Sequence, residues 1–200
     1  METLALPLKS VPPLRVAALR PQGVELPWLL LNRDVAARVG EELADQVRAL
    51  GPGTVLILDL SEVESRASCL AVMLAEPLRL IQSDTGEPEV KDRFVIIQGL
   101  GANLRDAHLG LEDEGLIAIH RSPEGVSLIG KVDRKVEETY QYARRLREVT
   151  SAMFVEPPFD LKISAANARV SKLHRLGLLR FLSEEVMETG GRRFVYQVVE

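Results

Sequence analysis

The sequence predicts an α/β fold over residues 1–130 and a smaller α+β module at the C-terminus. Three observations carry this. Two continuous apolar runs, Val55-Leu-Ile-Leu-Asp-Leu60 and Phe94-Val-Ile-Ile97, are bounded by turn residues, the pattern of strands buried on both faces as in a parallel sheet. Segments of helical period separate them. Near the C-terminus, one basic helix is followed by two β-rich runs around Thr189-Gly-Gly-Arg-Arg193.

Taken in order, residues 1–13 are apolar and carry Pro7, Pro12 and Pro13, which suits an arm or an edge strand that could contact a second subunit. Residues 14–19 and 28–31 are short strand candidates. Asn32 or Asp34 can cap a helix reaching about Leu50, with Val35, Val39, Leu43 and Val47 at helical spacing, and Gly51-Pro-Gly53 ends it. After the 55–60 strand, Ser61, Ser65 or Ser68 can open a helix of small apolar residues. Pro77 should kink or end that helix, although Leu78, Leu80 and Ile81 can continue it. Residues 84–88 form a loop before the 94–97 strand. Asn103 opens a helix to about Leu111, residues 115–119 form a strand, and Ser122-Pro-Glu-Gly125 turns tightly into residues 126–129. Residues 131–154 read as one long helix. Its seam of Val132, Val136, Thr139, Ala143, Leu146, Thr150 and Met153 suits either a dimer contact or burial on the C-terminal core.

The C-terminal helix carries the functional reading. Ser164 is placed to cap it, Gly177 to end it, and Ala166, Val170 and Leu173 form its apolar stripe. Residues 161–180 hold five basic side chains (Lys162, Arg169, Lys172, Arg175 and Arg180) and no acidic one. A basic helix with a thin apolar seam needs a core on one side and suits an anionic surface on the other.

Composition bounds the alternatives. The 46% hydrophobic and 27% charged fractions are ordinary for a globular chain, and the 4% aromatic content leaves the core to Leu, Val, Ile and Ala. No run is long and apolar enough to span a bilayer, no signal peptide is read, and the single cysteine, Cys69, excludes an internal disulfide. A cytoplasmic protein is expected. The net charge of −4 is unevenly spread: residues 151–200 carry seven Lys/Arg against six Asp/Glu, and residues 1–150 carry 18 against 23. A pI near 5.6 therefore leaves local anion binding open.

No catalytic constellation is found. His108, His120 and His174 lack partners at metal-ligand spacing. Gly99-Leu-Gly101 lacks the third glycine and the distant carboxylate of a dinucleotide loop, and Glu112-Asp-Glu114 reads as a solvated helix end. No enzyme activity, metal or cofactor is expected.

Two resemblances follow. Ser164 to Val199, with Arg169-Val-Ser-Lys-Leu-His-Arg-Leu-Gly-Leu-Leu179 as the helix and its exit and Gly190-Gly-Arg-Arg193 in the hairpin, resembles the second half of a winged helix-turn-helix. Pro157 and Pro158 depart from that pattern, standing where a supporting helix is usual. Leu31-Asn-Arg-Asp-Val-Ala-Ala-Arg-Val39, Val55-Leu-Ile-Leu-Asp-Leu-Ser-Glu-Val63 and Phe94-Val-Ile-Ile-Gln-Gly-Leu100 resemble a bacterial STAS-like domain of unassigned function. The resemblances imply a STAS-like domain at 1–130, a connector helix at 131–150 and a winged helix at 151–200. Anti-sigma-antagonist STAS domains are switched at an Asp-Ser-Ser-Gly segment. The corresponding Ala67-Ser68-Cys69-Leu70 keeps Ser68 alone, either a candidate regulatory phosphosite or a helix-start hydroxyl.

The function these resemblances imply is transcription regulation through duplex DNA, with the STAS-like domain sensing or dimerising. Side chains near the helix start, Ser164, Asn167, Arg169 and Ser171, would face the groove, with Asn167 suited to adenine and Arg169 to guanine or phosphate. Lys172 and Arg175 would hold phosphates, and Arg192 and Arg193 would reach the backbone or minor groove. Asn167, Arg169, Lys172, Arg175, Arg192 and Arg193 are expected on one exposed basic face. The alternative is a non-enzymatic protein–protein interaction module of the STAS signalling type.

Overall fold

The computed structural model describes residues 15–19, 29–30, 32–61, 63–65, 67–82, 90, 92–186 and 191–200. Residues 1–14, 28, 31, 84–88 and 189–190, to which the sequence assigns an arm, strand ends, a loop and a turn, lie outside the described residues.

Apolar side chains on both faces of its strands force the main sheet into the middle of the molecule. It holds β1 (Arg15–Leu19), β3 (Thr54–Asp59), β5 (Arg93–Gln98), β6 (Ile117–Ser122) and β7 (Gly125–Gly130) in the order β1-β3-β5-β6-β7. The first four run parallel, and β7 returns antiparallel through a two-residue turn. The short strands β2 (Leu29–Leu30) and β4 (Glu64–Ser65) pair in parallel as a separate two-stranded sheet. Along β3, Leu56 and Leu58 enter one core while Val55 and Ile57 enter another; β5 divides Val95 and Ile97 from Phe94 and Ile96 in the same way. This is the period-2 alternation of a strand with no solvent face.

Three helices cover the first face: α1 (Arg33–Ala49), α2 (Ala67–Gln82) and α3 (Leu104–Asp113). Asn32 caps α1 by accepting from the Asp34 amide at 2.8 Å. Helix α2 continues through Pro77, and Cys69 is buried in it. Ser68 is exposed as the second residue of α2.

The C-terminal residues cover the second face. Helix α4 (Arg134–Leu146), strand β8 (Glu148–Val149), a 3-10 turn (Ser151–Phe154), helix α5 (Ile163–Arg175) and the hairpin β9 (Leu179–Val186) with β10 (Arg192–Val198) follow one another. The hairpin and β8 make a three-stranded antiparallel sheet in the order β8-β10-β9. Val136, Tyr140 and Ala143 of α4, Phe154, the α5 stripe and Leu179 and Val198 of the hairpin join Val55, Ile57, Phe94, Ile96, Ile117 and Ile119 in one core. The Tyr140 hydroxyl donates to the Val199 carbonyl at 2.7 Å, and burial raises its pKa. Of the seam expected over residues 131–154, Val136, Thr139, Ala143 and Thr150 are buried, Val132 is partly buried, and Leu146 and Met153 are exposed.

Two expectations are corrected here. Residues 131–154 are not one helix: α4 ends at Leu146, and Arg147 takes φ +64, so the chain leaves the helix direction and enters β8. Ser164 is not the N-cap of α5. The cap is Lys162, whose carbonyl accepts from the Ala165 and Ala166 amides without side-chain help, and Ser164 sits exposed in the first turn.

An ion pair with its arginine buried and its carboxylate partly exposed fixes where the two layers meet. Arg180 of β9 is fully buried, and its Nε and Nη2 donate to the two carboxylate oxygens of Asp92 at 2.8 and 3.1 Å. The Asp92 carbonyl accepts from the Gly53 amide at 2.6 Å. Gly53 has φ +75, and a Cβ there would lie 2.5 Å from the Arg180 Nη2, so only glycine lets the guanidinium in.

Replacing Arg180 by Met should leave the Asp92 carboxylate, which keeps some contact with water, without its counter-ion and cost about 1.5–3 kcal/mol in denaturant unfolding. Adding Asp92→Asn should recover part of that loss; strictly additive effects would contradict the pairing. His120, buried in β6, gives a pH signature: burial pushes its imidazole below the ordinary 6.5, against a smaller opposing pull from Glu124. The unfolded chain takes up this proton first, so stability should fall as pH drops below about 6.5 and be unaffected above it. Urea unfolding at several pH values should show a shallower acid loss in His120→Gln; identical slopes would remove the assignment.

Candidate nucleic-acid interface

Helix α5 is held by what lies beneath it. Ala166, Val170 and Leu173 are buried, and Gly177, at φ +70, ends the helix. The Gly177 amide donates to the His174 carbonyl and the Leu178 amide to the Leu173 carbonyl, the two bonds of a Schellman close, with Leu173 and Leu178 both buried. Where the winged-helix pattern usually has a supporting helix, the 3-10 turn and the Pro157-Pro158 segment bring together Tyr142, Phe154 and Phe159, with ring centroids 5.0–5.4 Å apart. This aromatic cluster backs α5.

With that stripe inward, the outermost line of α5 is Ser164, Ala168, Ser171 and Arg175, all exposed. Asn167 shares a line with Ser171 and His174 on the flank toward the hairpin. The His174 ring stands 5.3 Å from the Tyr196 ring, and its Nδ1 lies 2.9 Å from the Leu179 carbonyl. The line is low: three of its four side chains are Ser or Ala, so a partner can approach the helix backbone closely.

The expected single basic face is not what the structure holds. Arg169 turns toward α4, its guanidinium 5.5 Å from the Phe159 ring centre and 3.4 Å from the Thr139 hydroxyl. Lys172, on the same flank, pairs with Asp133 at 2.6 Å. Arg192 and Arg193 are consecutive in β10 and so leave on opposite faces. Arg192 shares the face of Phe194 and Tyr196, toward α5, and pairs with Glu184 at 2.9 Å. Arg193 is on the other face, its Nε 2.8 Å from Glu185, the residue opposite it in register. Ser164, Asn167, Ser171, Arg175 and Arg192 are therefore brought to one side, while Arg169, Lys172 and Arg193 are not. Arg180, the fifth basic residue of the segment, is buried.

The hairpin also shows a feature that counting charges misses. Phe181 and Phe194 are 39% and 44% exposed and meet edge to face at 6.1 Å, and Phe181 meets Tyr196 at 5.9 Å. The rings form a ladder from the end of α5 out along the hairpin. Alternation in Arg192-Arg-Phe-Val-Tyr196 is the signal that could have found it.

Comparisons with family models, curated proteins and solved structures gave no match. Among the described residues, no helix is long and apolar enough to cross a membrane.

The Lys172 to Asp133 bridge is exposed, so Lys172→Met should cost no more than about 1 kcal/mol in thermal unfolding. Asp133 is held below its ordinary pKa first by the Lys172 hydrogen bond, then by the Val136 amide it caps. Its carboxyl pKa, read by NMR, should rise in Lys172→Met yet stay below the ordinary value; no rise would contradict the bridge.

Proposed function

We propose that the chain is a DNA-binding transcriptional regulator. In this reading the winged helix takes in the expected connector and runs over residues 131–200, with α5 as recognition helix and the β9–β10 hairpin as wing, and residues 1–130 are a STAS-like domain that senses a partner or makes a two-fold dimer. The observation that carries the reading is the order helix, strand, short turn, helix, strand, strand with the sheet order β8-β10-β9. It leaves the low polar line of α5 on the outside beside the hairpin.

The ion pairs on this surface do not oppose the reading. Lys172, Arg192 and Arg193 pair with carboxylates at exposed positions, where such pairs are worth about 0–1 kcal/mol. Exchanging Glu184 for a phosphate therefore costs Arg192 little. The small side chains at 164, 168 and 171 suit close approach to a groove, and Asn167 and Ser171 supply hydrogen-bonding groups for base edges.

A second reading, a protein–protein interaction module, draws on the exposed Phe181 and Phe194, since aromatic anchors are enriched at protein interfaces. Fluorescence anisotropy with a mixed-sequence duplex over a salt series separates the two. Arg175→Gln and Arg192→Gln should each weaken binding and flatten the log–log salt slope by about 0.9. Arg193→Gln, on the far face of the hairpin, should leave the slope unchanged. No binding at micromolar protein in low salt would overturn the DNA reading and favour a protein partner.

A further inference from the structure

Behind α5, on the flank away from the hairpin, a cleft of about 160 Å³ opens between α4 and α5. Val136 and Leu173 are buried at its base, Ala168 is exposed at its rim, and Lys135, Arg169 and Lys172 line it as cations. Its volume matches that of apolar cavities of about 150 Å³ that accept a benzene ring. The Arg169 guanidinium is half-buried beside it and is held in place over Phe159. Of its five N–H donors, one is used, in the weak 3.4 Å contact with the Thr139 hydroxyl, and no carboxylate pairs with it among the described residues. Asp133, the carboxylate at the rim, is already neutralised by Lys172.

We propose that this cleft binds a small monocarboxylate with an apolar body about the size of a benzene ring. The carboxylate would meet the Arg169 fork, the match for which a planar guanidinium is suited, and the ring would cover Val136, Ala168 and Leu173. A bare inorganic anion satisfies the guanidinium and leaves the apolar base wet. A neutral hydrocarbon covers the base and leaves the guanidinium short of partners. A ligand with both parts answers both. The site goes beyond the DNA reading and stands without it, because its cations lie on the α4 flank of α5 and Ala168 at its rim is the one residue it shares with the outward line.

The test is a titration of the full chain with benzoate followed by amide NMR shifts, without DNA. Saturable shifts confined to residues 134–139 and 168–173 are expected. Arg169→Gln should weaken benzoate at least about tenfold, the value of one lost charge-assisted hydrogen bond. Ala168→Leu, which keeps every charge and adds bulk at the rim, should weaken binding while leaving the remaining spectrum in place. Benzyl alcohol and inorganic phosphate should each bind at least about tenfold more weakly than benzoate. Absence of saturable shifts up to about 10 mM benzoate would overturn the proposal. So would equal affinity in folded Arg169→Gln, or phosphate binding as tightly as benzoate.

Discussion

The constraint on which the rest of the structure depends is the two-sided apolar sheet. Strands β3 and β5 carry branched aliphatic or aromatic side chains on both faces, and α1, α2 and α3 all lie on one of them. The opposite face has to be covered, and α4, the 3-10 turn, α5 and the hairpin cover it. The C-terminal elements are thus a second layer built on the sheet, not an appendage joined by a stalk. Arg180 and Asp92, 88 residues apart, add a directional contact to this non-directional burial. A bidentate guanidinium tolerates little displacement, so the pair sets where β9 enters relative to the starts of β3 and β5.

This arrangement decides what α5 can show. Three apolar residues and the aromatic cluster of Tyr142, Phe154 and Phe159 take its inner side, and α4 takes the flank that carries Arg169 and Lys172. What remains outward is small and polar, with one arginine near the C-terminal end. The proposed DNA surface is therefore narrower than the charge pattern suggests, and it relies on close backbone approach and on exchangeable surface ion pairs more than on a broad positive field.

How much of this was legible in the sequence follows from the range of each interaction. The 55–60 and 94–97 strands, the Asn32 cap and the Gly177 stop are local, and each was readable from neighbouring residues. The end of α4 was not, because Arg147 holds a positive φ without the glycine or asparagine that usually announces one. The Ser164 cap failed because Lys162 starts the helix with its backbone alone. In the site, Arg169 and Lys172 looked available because Phe159, Thr139 and Asp133 lie 10, 30 and 39 residues away and meet them only in the fold. Arg180 was counted among the basic residues of 161–180, and its burial against Asp92, 88 residues away, is likewise a property of the fold. The opposite pointing of Arg192 and Arg193 was legible from strand alternation, whereas their pairing with Glu184 and Glu185 needed the register of the hairpin.

The central claim is that the sheet and the C-terminal layer form one cooperative body that holds α5 in place. Native-state hydrogen exchange tests it most directly, because each amide reports the free energy of the opening that exposes it. The slowest amides of α5 and β10 should exchange with the same opening free energy and the same denaturant dependence as those of β3 and β5. A C-terminal layer that exchanges through a cheaper opening, while β3 and β5 stay protected, would contradict the account.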